Sequence, residues 1–576
     1  MKILTRDRVF YLLCLTMPFL FIPKALHLSF IGGPISTMLM VHVILLAYAY
    51  SFYCYKKDNN FLYKKDIFTK FTIIYIFVLI ISLMHGLFIY PYYDLIFSGP
   101  INQIEKLPRL INFLNECNVM INEKILLSAW MIVRFFKGVI LEIIYTFGFS
   151  YILYCWYKDE PQVAIKIIKK SIYIISIIIV LFGFVELFFL FGYEWAKKFL
   201  ITVTPFLHGI KVNFDWWPPL LWHGRMRNIF PEPSQFGMYT AFIMPFLWAE
   251  ILNGNKKLLS LVLIFIISIF VFLTQAKTAV LLFLGEMFLL NIYVLYKRNI
   301  WKKYLQILTI VIISFVLSLW CVNNYNNKPL DVLFQNKFIK TTDVKDIRTE
   351  KNIKKEQNIK IPTQKNADNI KKEVTKVDIN ENVKNKNITK DNNTIMEKYI
   401  DQNITGVVDP NSGSNNARFA IMKSDIRIWQ DHILLGVGNG LKSAYTEEYL
   451  NDDEKKNGEI KLWGNLQSKY GVLKSGYPSI NEFSKRLAEN GILGFVCYIF
   501  PLLFLIYKFY KNRKNYNLDF EENNDVICML IALIGCFITG MSGMLTTIQT
   551  YWLLLGIAYA YLLTIKNTKC KSVEEK

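Results

Sequence analysis

The sequence predicts an all-α polytopic membrane protein of about twelve transmembrane helices with one large external loop. Three observations carry this. First, apolar residues are bunched: "FTIIYIFVLIISL" and "SIYIISIIIVLFGFVELFFL" approach the roughly 20 residues needed to cross about 30 Å of hydrocarbon, where a soluble domain would interleave polar residues at helical or strand period. Second, the short basic segments alternate with apolar ones. Third, a single long polar stretch, 322–490, separates the ninth apolar block from the tenth.

By hydropathy the spans lie near 9–30, 34–54, 71–90, 130–156, 171–193, 235–252, 258–275, 278–296, 304–321, 491–510, 526–544 and 546–565. The first contains Pro23 and Lys24. No small-residue cleavage site follows it, so it reads as an anchor rather than a removed signal peptide. "MKILTRDR", "YKKDNNFLYKKDIFTK", "KIIKK", "NKK", "YKRNIWKKY", "YKFYKNRK" and "KNTKCK" all fall on one side when the spans are threaded alternately. The positive-inside bias makes that side cytoplasmic, with both termini there. The chain thus divides into residues 1–321 (spans 1–9, with external segments 91–124 and 194–234), an external loop 322–490, and residues 491–576 (spans 10–12 and a cytoplasmic tail).

The formal net charge of +21 reflects that inside bias and the Lys-rich part of the loop, so it does not argue for nucleic acid. Nine cysteines are scattered, mostly within spans, with no CxxC or Cys/His ligand spacing. No structural metal site and no cofactor is predicted.

The loop divides by composition. From about 328 to 405 it is Lys, Asn, Asp, Ile and Thr, as in "KNADNIKKEVTKVDINENVKNKNITKDNN". Such a segment buries too little apolar surface to offset its ordering entropy and reads as a disordered insertion, or as a charged tether for a partner. Residues 412–490 read as ordered and helical. A helix near 415–431 puts Arg418, Met422, Asp425 and Trp429 on one face and Arg427 on the other; Arg418 either braces Asp425 or lines a site. "GVGNG" (Gly436–Gly440) is a turn, or an anion nest of backbone N–H groups. In "YPSINEFSKRLAENGILGF" (Tyr477–Phe495), Ser479 and Glu482 have capping-box spacing. Glu482, Lys485/Arg486 and Glu489 then form a charged stripe that runs into the tenth span.

Read together, "ARFAIMKSDIRIW", "DHILLGVGNG" and "INEFSKRLAENGILGF", in that order and followed directly by a span, resemble the bacterial O-antigen ligase/polymerase superfamily. "RMRNIFPEPSQFGMYTAF" before the sixth span is similar to the Arg-rich external segment of polysaccharide polymerases. The resemblance implies a GT-C-like membrane glycosyltransferase in the bacterial cytoplasmic (inner) membrane. Such an enzyme transfers glycans from undecaprenyl-pyrophosphate at the external face, as in O-antigen, lipopolysaccharide, capsule or exopolysaccharide synthesis. Membrane lipids, a flippase and a chain-length regulator are the implied partners. Polymerases pass the glycan to another lipid-linked repeat, ligases to lipid A core, and relatives to protein. Ligases carry a histidine where this chain has Ile480, followed by Asn481. His432 matches the family's "DH" turn and reads as structural.

A departing diphosphate must be held and neutralised while an acceptor hydroxyl is oriented. No DxD metal pair occurs, and arginine, with its planar fork, is the natural substitute. Arg225, Arg227 and Arg418 are therefore the candidate diphosphate ligands, with Glu232 orienting an arginine or the acceptor, or opening the sixth span's helix. Arg134 and Lys137 in the fourth span form a basic wall beneath the diphosphate or pair with Glu186. Asn481 and Glu482 sit where a headgroup would dock. Trp216 and Trp217 in "FDWWPPLLWHG" stack on sugars or belong to the interfacial aromatic belt. A transporter or flippase of lipid-linked sugars is the alternative from another class, but matching halves with broken helices are not evident.

Overall fold

A computed structural model describes residues 5–23, 27, 37–57, 66–100, 103–104, 107–119, 122–208, 224–255, 257–326, 413–512, 520–546 and 549–574. The predicted disordered insertion, and Trp216 and Trp217, lie outside the described residues. In chain order the helices are α1 (Arg6–Thr16), α2 (Leu39–Lys57), α3 (Ile67–Ile89), α4 (Tyr93–Phe97), α5 (Leu107–Glu116), α6 (Glu123–Tyr145) and α7 (Phe147–Tyr157). Next come α8 (Pro161–Leu190), α9 (Glu194–His208), α10 (Pro233–Asn253), α11 (Lys257–Leu273), α12 (Lys277–Tyr296) and α13 (Trp301–Asn326). The remainder are α14 (Gly413–Asp431), α15 (Lys442–Tyr449), α16 (Asp452–Lys455), α17 (Gly458–Tyr470), α18 (Glu482–Asn512), α19 (Phe520–Ile538) and α20 (Thr550–Glu574).

Seven of these are long and apolar enough to cross a membrane: α2, α3, α8, α12, α13, α18 and α19. Two shorter apolar stretches, Lys257–Leu273 and Thr550–Leu562, accompany them. Large apolar side chains point outward, among them Phe77 and Phe88 on α3, Phe288 on α12 and Trp320 on α13. An exposed apolar belt of this kind is what lipid contact requires. The protein is an all-helical membrane protein.

At the centre stands α10, whose residues Phe236 to Leu252 are all buried. It packs chiefly on α19, α12 and α11. Pro233 opens it at a position where no N–H is needed, and Gly254 closes it with φ +86°. Its buried Glu250 meets Lys169 Nζ of α8 at 2.6 Å, and the same ammonium lies 2.6 Å from Asp525 of α19. Charges at this depth persist because they neutralise one another.

Several predicted spans differ in the structure. The first stops at Thr16, giving an 11-residue helix of about 16 Å, too short to cross. The fourth is broken at Thr146 (φ −113°, ψ −109°) into α6 and α7. The tenth starts nine residues earlier than predicted, because the charged stripe is itself the first part of α18. Between α13 and α18, helices α14 to α17 enclose a small apolar core of Ala417, Ala420, Ile421, Leu450, Ile460 and Tyr477.

Candidate functional site

The glycine turn and the start of α18 are built as one unit. α18 is broken at Gly491, which has φ +61° and ψ −168°. Into that break the turn docks its backbone. Val437 N donates to Ala488 O (2.9 Å) and Gly438 N to Glu489 O (2.8 Å), while Ile492 N donates to Ile433 O (2.8 Å). Ser82 of α3 donates from Oγ to Leu435 O and Glu489 O, both at 2.8 Å. Carbonyls freed by the kink are thus satisfied by the turn. The two amides that would have formed an anion nest are already engaged, which overturns that reading of "GVGNG".

Asn481 caps α18: its Oδ1 accepts from Phe483 N (2.9 Å) and Ser484 N (3.0 Å). The predicted Ser479–Glu482 capping box is therefore not formed. Because Glu482 is the first helical residue, its side chain turns inward instead and is fully buried. There Arg486 donates from Nε to Glu482 Oε1 (2.7 Å) and from Nη1 to Glu142 of α6. Tyr75 donates to Glu142 Oε1 at 2.8 Å, and Asn439 of the turn donates to Oε2 at 2.6 Å. Tyr498 donates to Glu482 (3.2 Å) and lies under the Arg486 guanidinium, 4.8 Å from ring centroid to carbon. One buried guanidinium thus serves two carboxylates, with hydrogen bonds filling most remaining positions.

Beside this cluster is a cavity of about 340 Å³, lined by Arg134, Glu142, Lys485, Asn439 and Ser443, with Tyr90 and Phe135 among its apolar walls. Lys485 Nζ is 3.6 Å from Glu489. Arg134 is exposed and has no ion pair among the described residues. Lys137, though also exposed, is not part of this wall.

Neither Arg134 nor Lys137 pairs with Glu186 as the sequence suggested. The segment 224–232 folds over the end of α8, and Glu186 accepts from Arg227 N (3.2 Å) and Asn228 N (2.6 Å). Arg227 Nε is 3.7 Å from the same carboxylate, and the side chain is only 5% exposed. Burial pushes the Arg227 guanidinium down to about 10, against the opposing pull of Glu186. Arg225, two residues earlier, is exposed. Glu232 is the N-cap residue of α10 but makes no capping bond; it accepts instead from Ser234 Oγ at 3.3 Å.

On α14, Arg418 is exposed and Asp425 is not its partner. Asp425 is fully buried against Lys442 Nζ (2.5 Å) and Ser484 Oγ (2.8 Å), which ties α14 to α15 and α18. Arg427, on the opposite face as predicted, forks onto Glu454 at 2.7 and 3.0 Å. His432 packs edge-on to Tyr445, 5.7 Å between ring centroids, and burial holds its imidazole below the ordinary value.

Of the predicted residues, Asn481 makes contacts across the bundle. Met422, one turn from Arg418, has its sulfur 3.9 Å from Asn481 Nδ2, which also donates to Met541 O at 3.0 Å. Gly543 in that same linker abuts Met238 of α10, and Glu232 opens α10. Asn481 therefore links α14 to the segment that abuts α10, while Arg134 lines the cavity beside the Arg486 cluster. Sequence reasoning missed Lys442 and the pairing of Glu142 with Arg486. The signals for the latter were a charge within the apolar run of the fourth span and the charged stripe that leads into the tenth.

The described residues thus form a helical bundle in which a buried, charged helix start meets a glycine turn and a polar cavity. Residues 262–499 match the family model described as O-antigen ligase, so this region is similar to that family. No curated protein matches the chain. Arg418, Asn481 and Glu482 fall inside the matched region, and Arg134, Arg225, Arg227 and Glu232 precede it.

Proposed function

We propose that the protein is a glycan polymerase of the bacterial cytoplasmic membrane. It joins oligosaccharide repeats carried on undecaprenyl-pyrophosphate at the external face, with both termini cytoplasmic. A hydroxyl of the acceptor repeat attacks the anomeric carbon of the donor. The bond from that carbon to the diphosphate oxygen breaks, the diphosphate leaves with the electron pair, and the hydroxyl proton goes to solvent or a base. Arg225 and Arg418, exposed forks outside the spans, hold the departing charge. Glu232 orients the acceptor, Asn481 holds the start of α18 in place, and Arg227 positions Arg225 by anchoring its segment on Glu186. A flippase that delivers the repeat and a regulator of chain length are the natural partners.

One observation favours polymerase over ligase. The position where ligases carry histidine is Ile480, and it packs against the apolar core of α14 to α17. An imidazole is not available there, so the site relies on leaving-group stabilisation. The ligase reading keeps the family description on its side.

Cells lacking the protein should retain single-repeat glycans and lose long chains. An unchanged ladder would sink the polymerase reading, and intact lipid-linked chains that fail to reach their final acceptor would establish the ligase. With purified protein and lipid-linked repeat, Arg225→Lys and Arg418→Lys should each retain charge but lose turnover.

A further inference from the structure

The cavity beside Arg486 is not needed for the diphosphate, and its walls point to a different ligand group. They carry both signs of charge. Arg134 has no carboxylate partner among the described residues, and Lys485 shares its charge with Glu489. The same lining includes Glu142, a carboxylate only 8% exposed. Its Oε1 takes Tyr75 and Arg486, and its Oε2 takes Asn439. Each carboxylate oxygen has lone-pair capacity beyond these bonds. Ser443 adds a hydroxyl, and Tyr90 and Phe135 add aromatic surface.

A diphosphate brings two or more negative charges and would be repelled by Glu142 in the same wall. A polyhydroxylated monoanion fits the mixed wall better. Its hydroxyls donate to Glu142 and exchange hydrogen bonds with Ser443, its single carboxylate meets Arg134 and Lys485, and its ring lies on an aromatic face. The volume of about 340 Å³ is within the range of small-ligand sites.

We propose that this cavity is a sugar subsite that selects an acidic, uronate-type residue of the glycan, with Arg134 as the specificity-determining cation. The proposal rests on the glycan-transfer reading for its biological setting, but its test reads binding and needs no turnover.

The test is saturation-transfer NMR and competition binding on the full-length protein in nanodiscs, with three probes: a galacturonic acid tetramer, a neutral glucose tetramer and geranyl diphosphate. The galacturonate should bind at least tenfold more tightly than the neutral tetramer. Arg134→Gln should remove that preference while leaving neutral-sugar binding within about twofold. Because Arg134 is exposed, the substitution is compatible with folding, which a thermal melt verifies; Arg134→Lys should restore part of the preference. Equal binding of acidic and neutral tetramers, or a preference untouched by Arg134→Gln, overturns the proposal. So does geranyl diphosphate displacing galacturonate through an Arg134-dependent site, because the cavity would then hold the donor. If the acidic preference holds in a protein without transfer activity, the subsite stands and the transferase reading falls.

Discussion

Glu142 of α6 and Arg486 of α18, 344 residues apart in the chain, form a buried ion pair. The pair joins the first half of the bundle to the helix whose start is completed by the glycine turn. Glu142 also receives Asn439 from that turn, so one carboxylate ties α3, α6, α18 and the 432–440 segment together. Two of the features assembled on it, the capped start of α18 and the Gly491 break, belong to the region matched as O-antigen ligase.

Breaking this pair on one side should be costly, since the surviving charge stays buried. Arg486→Met or Glu142→Gln alone should lower stability by about 3–5 kcal/mol. The double variant should recover part of that loss, because Glu142 no longer leaves a buried charge unpaired, while Glu482 still lacks its guanidinium. Thermal unfolding of the purified protein in detergent measures the cycle, and additive losses would show that the two side chains do not act as a unit.

Gly491 holds a conformation that L side chains rarely adopt, and a Cβ there would meet the Leu434 carbonyl of the docked turn. Gly491→Ala should therefore destabilise by about 1–3 kcal/mol and loosen the turn. Hydrogen exchange at Val437 and Gly438 reads this directly: their amides should lose protection in the variant and keep it in a control substitution at exposed Val496.

The arginines should separate by role. Arg418→Ala should reduce turnover by about 10²–10³-fold with little change in melting temperature. Arg227→Ala should chiefly lower the melting temperature, by removing the cation beside buried Glu186. Paired kinetic and thermal measurements on both variants test the assignment, and a melting loss confined to Arg418→Ala would reverse it.

Acid should loosen α14 from α16. Burial alone would raise the Glu454 carboxyl, but Arg427 and the Asn451 amide outweigh it and hold it below the usual 4.5. A carboxylate depressed in the fold contributes stability fully above its unfolded value and loses it as pH falls through the folded one. The contribution, about 1 kcal/mol, should thus be fully present above pH 4.5 and fade as pH falls from there through the folded value. Limited proteolysis of the 413–470 region across pH 3–6 should show the change, and Arg427→Met should abolish it.

The helical membrane character and the motif order were legible because hydropathy and basic flanks are local properties that lipid and water impose on any chain. The face assignment on α14 followed equally from helical period: Arg427 does lie opposite Arg418. Partner choice was less accessible. Asp425 was equally compatible with Arg418 and with Lys442, and only packing of α14 on α15 chose the latter. Glu482 had capping-box spacing, yet Asn481 one residue earlier took the cap and left Glu482 to be buried.

By itself the sequence determined that this chain spans a membrane, that its polar segment between α13 and α18 carries ordered helices, and that its motifs run in the order of a glycan-processing superfamily. Only the tertiary structure decided which charges meet. Arg486 selects Glu142 and Glu482, Glu186 selects the Arg227 backbone, and the glycine turn fills the break at Gly491. The physical reason is that hydropathy acts on each segment separately, whereas a buried charge is neutralised by whichever partner the packed helices bring within reach.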